Sequence, residues 1–319
     1  MSTTPVLGFS EPHTPEEAMQ DSRGDPLAGL SDLSTPEPGN AGMGFKFGLQ
    51  PLNPHDIPVD TAKLVLEANA LVESITTWRK GKVYTYDAPV AGLEVPTFST
   101  ILDGEYWCAR VSHVNTDTYP FATLVKHLTG AEFKEGEWVI RDRYRHTESE
   151  GRYIQLVVRW RPIQWSSFSK SVLEGSTDTF SPEFSYLQDW ICVNLEYRFG
   201  SMLSNREFNE FILVTPPKRL CDLNPDEADE SLVCFVISLV ANYTVTAGNV
   251  HAAYCSVERL KYDPQTNQVE WAMATCSDAR GNLPRKLQRL MAAKAISHDV
   301  PSFLQFLNAL RKDEDGSIN

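Results

Sequence analysis

The chain has 319 residues, of which 42% are hydrophobic, enough to bury a sizeable core; 42 acidic against 29 basic side chains give a net charge of -13. That balance argues against sequence-independent nucleic-acid binding, which relies on basic patches that displace counterions from phosphates. The longest near-unbroken apolar run, Leu232 to Ala241, holds ten residues, about half of the roughly 20 that a bilayer-spanning helix needs. No basic segment precedes an apolar stretch at the N-terminus, so a cytoplasmic protein is expected.

Residues 1–42 are rich in Pro, Ser, Thr, Gly and acid, without apolar periodicity, and read as a disordered tail, with 43–59 as a linker. Folded structure is expected over 60–311. Leu64, Val65, Ala68, Leu71, Val72, Ile75 and Trp78 recur at spacings of three and four, predicting an amphipathic helix over 61–80 with Asp60 as N-cap and Gly81 as stop. Strands follow at 82–86, 94–101 and 105–113, then a second helix over 118–130 with Gly130 as its C-cap.

The next stretch reads as strands. Residues 137–147 and 152–161 flank Glu148-Ser149-Glu150-Gly151, which predicts a hairpin, and 166–189 reads as a long polar loop. Along 190–199 the alternation puts Ile191, Val193, Leu195, Tyr197 and Phe199 on one face. Further strands are expected at 206–215, 231–241, 250–261 and 268–276, and a long helix over 283–311, broken or kinked near Pro301. Residues 312–319 form a second acidic tail. Strands joined without helical crossovers imply an antiparallel sheet with helices on one face, an α+β domain.

No phosphate-binding loop, nucleophile elbow or zinc-protease motif is present, and the six cysteines and seven histidines show no metal-ligand spacing. Cys108, Cys192, Cys234 and Cys255 sit in apolar runs and read as small buried hydrophobes. No catalytic residue, metal or cofactor is expected. Two constellations remain. Arg141, Arg143 and Arg145 alternate along a predicted strand, with Arg159 and Arg161 on its partner. This is either a solvated sheet face or a basic face for transient contact with anionic membrane head groups. The second is apolar: Val193, Leu195 and Tyr197, Phe208 and Ile212, and Trp271 and Met273 each share a strand face, as a packed core or a lined cavity would require.

The stretch Asn267-Gln268-Val269-Glu270-Trp271-Ala272-Met273, continuing through Ser277-Asp278-Ala279-Arg280-Gly281 to Pro284-Arg285, resembles the last strand and helix start of START-like (steroidogenic acute regulatory protein-related lipid transfer) domains, particularly a fungal branch. There the pattern is roughly N-x-V-E-W-x-M-x-x-x-S-D-x-G-G-x-x-P-R. Asn205-Arg206-Glu207-Phe208 is similar to the family's P-R-D-F strand start, and Asp299 to Leu304 also matches in place. Arg280 stands where the family has the first of two glycines, and Asn205 where it has proline.

The resemblance implies a helix-grip fold: a curved antiparallel sheet around the long C-terminal helix, enclosing an apolar pocket for a lipid or other hydrophobic small molecule in a monomeric carrier or sensor. Gly281, the segment at Pro301 and the loop 166–189 are the expected hinges of a lid. The buried Arg and acid of lipid-binding relatives fall here at Ile212 and near Val193, so that polar handle is expected to be absent; Glu210 and Tyr254 are the remaining polar contacts, with Glu210 preferred as a rim residue. A polyketide cyclase-like enzyme on the same fold is the alternative, with His251, Tyr254 or Glu210 as acid or base. A scaffold recruited through the acidic tail is another. Residues 1–42 carry -6 and residues 312–319 carry -2, leaving -5 for 43–311. The folded part is therefore far less acidic than the whole chain.

Overall fold

The computed structural model describes residues 44–168, 187–200, 203–224 and 228–316. The expected N-terminal tail, most of the loop at 166–189 and the last three residues lie outside the described residues.

Helix α1, Thr61–Ser74, starts where Asp60 caps it: the Asp60 carboxylate accepts from the Lys63 N–H at 2.9 Å. It ends earlier than the apolar period, because Ile75–Thr77 tighten into a 3-10 turn and β1, Arg79–Tyr86, begins at once. Strands β2, Leu93–Leu102, and β3, Glu105–Asn115, extend it as a meander. Helix α2, Phe121–Thr129, buries Phe121, Leu124, Val125 and Leu128 and stops at Gly130, whose φ of 71° is the left-handed cap geometry that glycine adopts without strain.

The predicted hairpin is not formed. Strand β4, Ala131–Lys134, pairs β5, Glu137–Ile140; the chain then bonds back from the Arg141 N–H to the Gly130 carbonyl at 2.8 Å and winds into helix α3, Arg145–Tyr153. The i, i+3 pair of Arg145 with Glu148 at 2.9 Å supports that helix. Strand β6, Val157–Pro162, pairs instead with β7, Trp190–Tyr197. Arg159 and Arg161 thus face Glu196 and Glu207 at 2.7 and 3.5 Å rather than Arg143.

The remaining strands are β8, Arg206–Val214; β9, Lys218–Arg219; β10, Leu232–Val240; β11, Val250–Asp263; and β12, Gln268–Asp278. They complete a ten-stranded sheet in the order β1-β2-β3-β12-β11-β10-β8-β7-β6, with β9 paired to β10 beside this path. Its neighbours are antiparallel, with one exception that curves it. Where β10 stops at Val240, the strands beside it close over the gap, and Val250–Ala252 of β11 pairs in parallel with Arg206–Phe208 of β8.

Helices cover both faces of this sheet, not one. On the outer face, Leu64, Val65, Ala68 and Val72 of α1 pack against Phe211, Phe235, Val257 and Ala272. Arg259 ties α1 down through Asn69 Oδ1 at 2.6 Å and through Glu73. On the inner face lie α2, α3 and the closing helix, Arg285–Gly316, whose Val300, Phe303, Leu304 and Leu307 meet Trp271 and Leu260. Strands buried on both sides need apolar residues at every position, which is why β10 reads as an unbroken apolar run. The closing helix runs through Pro301 without a break and extends to Gly316, beyond 311. Proline's missing N–H leaves the Ser297 carbonyl without its helical donor, yet helix continues on both sides.

Candidate functional site

Strand alternation fixes which residues reach the inner face. Because Ala109, Val257, Ala272, Phe211 and Cys192 belong to the outer core, their neighbours in sequence point inward. By that parity Val193, Leu195 and Tyr197 of β7, Phe208, Glu210 and Ile212 of β8, Tyr254 of β11, and Trp271 and Met273 of β12 all lie on one concave surface. Val193, Leu195 and Ile212 pack together; Met273 meets Cys108 and Ile296; Trp271 meets Phe303 edge-on at 5.2 Å. Phe208 stands edge-on to Tyr197 at 5.1 Å and to Tyr254 at 6.3 Å.

The same surface carries charges that strand-by-strand reading did not connect. Arg110 of β3, 1% exposed, donates from Nη2 to Glu258 Oε1 of β11 at 2.8 Å and lies 4.3 Å over the Trp271 ring. Trp271 Nε1 donates to the same Glu258 oxygen at 2.7 Å. A buried Arg–acid pair is therefore present, on β3 and β11; the positions inferred from resemblance, Ile212 and Val193, are apolar core. The two strands are separated by β12 and the residues by 148 positions, so no local pattern links them. The Arg110 Nε–H has no acceptor among the described residues.

Glu210 is not a rim residue. It is 5% exposed, and burial, with the nearby Glu150 carboxylate, pushes its carboxyl up to about 8, only partly offset by the Ser238 hydroxyl and His146. Asp299 of the closing helix is likewise pushed up to about 8 by burial, against the pull of Arg110. On α3, His146 holds Leu128 O at 3.1 Å through Nδ1 and faces Glu150 at 3.5 Å through Nε2. Burial works against its charge, but the Glu150 carboxylate prevails and raises it to about 9, so both ring nitrogens donate.

Tyr197, Tyr254 and Asp299 are each partly exposed. His251 has the opposite strand parity and does not join this group.

The three arginines predicted to form a basic face do not share one. Arg141 follows β5, Arg143 pairs with Asp189 at 3.2 Å, and Arg145 is divided between Asp142 and Glu148 at 3.3 and 2.9 Å. The alternation failed because helix α3 begins within it. An exposed basic and apolar stripe occurs instead at the start of the closing helix. There Lys286, Leu290 and Lys294 fall at intervals of four, beside Arg285 and Met291; Leu290 and Met291 are 46% and 43% exposed.

A family profile described as "Protein of unknown function (DUF3074)" matches residues 107–307. The chain belongs to the DUF3074 family. The DUF3074 segment opens at Trp107 in β3 and closes at Leu307, so it spans Arg110, Glu258, Trp271 and Asp299 but leaves out α1, β1 and β2. No curated protein sequence matches the chain. Among solved structures the DUF3074 chain is similar to human STARD10, at 13% identity over 80% of this chain and 84% of that one, with a TM-score of 0.46. Human StAR-related lipid transfer protein 5 gives 13% over 79% and 98%, with a TM-score of 0.46. A STAR-related lipid transfer protein fragment from Xanthomonas axonopodis gives 10% over 72% and 98%, with a TM-score of 0.42. The α+β architecture itself rests on the strand order and closing helix described above. Among the described residues no helix is long and apolar enough to cross a membrane.

Proposed function

We propose that this domain binds a lipid or other hydrophobic small molecule between the concave face of the sheet and its closing helix, and carries or senses it without transforming it. The observation that carries this reading is the inner face of the sheet, where the apolar Val193, Leu195 and Ile212 lie beside the partly exposed Tyr197 and Tyr254. Enclosing an acyl chain is favourable by about 0.8 kcal/mol per methylene, so a sixteen-carbon chain gains on the order of 10 kcal/mol over exposure to water. Native mass spectrometry of the full chain isolated from its own cells should find a co-purifying hydrophobic compound. Protein that carries none and takes up no fluorescent lipid analogue would sink the proposal.

Loading requires contact with a donor surface, and the stripe of Lys286, Leu290, Met291 and Lys294 supplies a patch whose charge suits an anionic membrane. The full chain should co-sediment with anionic vesicles more than with neutral ones, and the double variant Leu290→Glu, Met291→Glu should lose that preference. Equal sedimentation with both vesicle types would place the contact elsewhere.

A catalytic reading has one observation in its favour: Glu210, at about 8, is suited to moving a proton near neutral pH, and Tyr254 shares its surface. It predicts that the bound compound leaves chemically changed. Recovery of the compound unaltered after prolonged incubation favours carriage.

A further inference from the structure

Two cysteines face each other near the centre of the sheet. In the antiparallel pairing of β11 with β12, Cys255 stands directly opposite Cys276. Both are free thiols, both point to the outer face, and both belong to one buried cluster, at 0% and 1% exposure. Directly opposite residues of an antiparallel pair have Cα atoms about 4.5–5.5 Å apart, inside the roughly 4.4–6.8 Å span that a disulfide bridges. Cys108, Cys192 and Cys234 have no such neighbour. Their opposite residues are Ser99 and Thr275, Phe211, and Leu260.

The chain that precedes α1 reaches over this cluster. Residues 44–52 form a strap, with Phe45, Phe47, Leu49 and Leu52 packed on the same outer core. Glu105 joins the strap to the cysteines: it accepts from the Leu49 N–H at 3.0 and 3.1 Å, and the Cys276 thiol donates to its Oε2 at 3.5 Å. Gly48 lies so close that a Cβ there would sit 2.9 Å from the same oxygen. The Cys255 thiol, burial and the Glu105 carboxylate together push the Cys276 thiol well above its ordinary range. With the strap in place that thiol stays protonated, and a protonated thiol is a poor nucleophile.

The first half of the strap is lightly held. From Gly44 to Leu49 its polar anchors among the described residues are the carboxylates of Glu67 and Glu105 and an exposed pair of Lys46 with Asp103. Backbone pairing to the sheet begins only at Leu52, beside Ala241. A segment without a backbone ladder opens at lower cost than the strands beneath it.

We propose that Cys255 and Cys276 form a latent two-electron redox site, closed to a cross-strand disulfide by a peroxide when the strap lifts. The site lies on the outer face, so the inference is independent of the ligand reading of the inner face. The peroxide is the one added reactant. Once the strap admits it with water, one thiol loses its proton and its sulfur attacks the peroxide. An S–O bond forms as the O–O bond breaks, leaving a sulfenic acid and an alcohol, or water where the oxidant is hydrogen peroxide. The second sulfur then attacks the first. The S–S bond forms, and the displaced hydroxide leaves as water with the second thiol's proton. Each sulfur gives up one electron, and the peroxide takes both.

Hydrogen peroxide treatment of the full chain, quenched by alkylation and read by peptide mass spectrometry without reduction, tests this. A peptide linked through Cys255 and Cys276 should appear, and a thiol reductant should remove it. Leu49→Pro deletes the N–H that holds Glu105 and should speed the linkage about tenfold or more, since losing a hydrogen bond to a charged group raises the open population by about that factor. Phe47→Ala keeps that N–H but loosens the packing of the strap, so it should also speed the linkage, and it decides the matter if the proline variant does not fold. Absence of the linkage in folded protein, or its appearance only in urea that unfolds the domain, overturns the redox pair. Equal rates in the parent and in the folded strap variants overturn control by the strap.

Discussion

Arg110→Met isolates the buried ion pair. Arg110 is 1% exposed and Glu258 8%, and the shared Glu258 oxygen receives both Arg110 Nη2 at 2.8 Å and Trp271 Nε1 at 2.7 Å. Methionine fills much of the same volume, so packing against Trp271 changes little while the positive charge disappears. Glu258 then keeps only the indole N–H in a site with almost no water. Breaking a buried pair from one side costs about 3–5 kcal/mol, a large part of the roughly 5–15 kcal/mol that holds a domain folded. Adding Glu258→Gln removes the stranded charge and preserves an acceptor for Trp271, so the double variant should lie within about 1–2 kcal/mol of the parent protein. Urea unfolding of the four proteins of this cycle, followed by tryptophan fluorescence, reads the coupling directly. If Arg110→Met costs under about 1 kcal/mol, or the two changes simply add, the pair is not the buried, mutually dependent unit described here.

Three further outcomes follow from the geometry. Glu210 and Asp299 have folded pKa values raised to about 8 from 4.5 and 3.8, so the native state holds protons that the unfolded chain gives up. Their contribution is most favourable in acid and is lost as pH rises towards 8. Melting temperature should therefore fall over that window, and Glu210→Gln with Asp299→Asn should flatten the fall. His146, raised to about 9, adds a further loss between 6.5 and 9 that the double variant retains. A melting profile of the variant parallel to that of the parent from mildly acidic to alkaline pH would contradict the assignment. Asp60→Ala removes the α1 cap and should cost about 1 kcal/mol in urea unfolding. Gly130→Ala forces a side chain onto a φ of 71° and into the Asp142 carbonyl, so a loss of at least about 1–3 kcal/mol is expected by the same measurement.

What could be read from the sequence depended on whether an element buries an apolar stripe. Helices α1 and α2 and the strands β7, β8 and β10 to β12 do, and their periods gave both type and position, down to the caps Asp60 and Gly130. Helix α3 does not: its buried residues are His146, Thr147, Ser149 and Tyr153, so an apolar-period search sees only alternating charges. Its charge spacing, Arg145 with Glu148 and His146 with Glu150, was the available signal. The apolar members of the inner face were legible because each strand shows its own alternation. The charged members were not, since Arg110 meets Glu258 across an intervening strand and Asp299 arrives on a helix from the end of the chain.

The two faces of this one sheet distinguish polar groups that build the fold from those that do something else. On the outer face, Arg259 is engaged by Asn69, Glu73 and Glu270, and Glu207 by several donors, an arrangement that lowers the cost of burial and fixes α1 and the neighbouring loop. The inner face has the same strands, yet among the described residues Glu210 has only the Ser238 hydroxyl as a partner, and Asp299 of the closing helix opposite has no ion-pair partner. Replacing either by a neutral isostere would relieve a standing cost to stability, and selection for stability alone would favour the change. Their placement is therefore not explained by the stability of the fold alone. Arg110 and Glu258 make the converse case: paired with each other and with Trp271, they set the polarity of this part of the inner face.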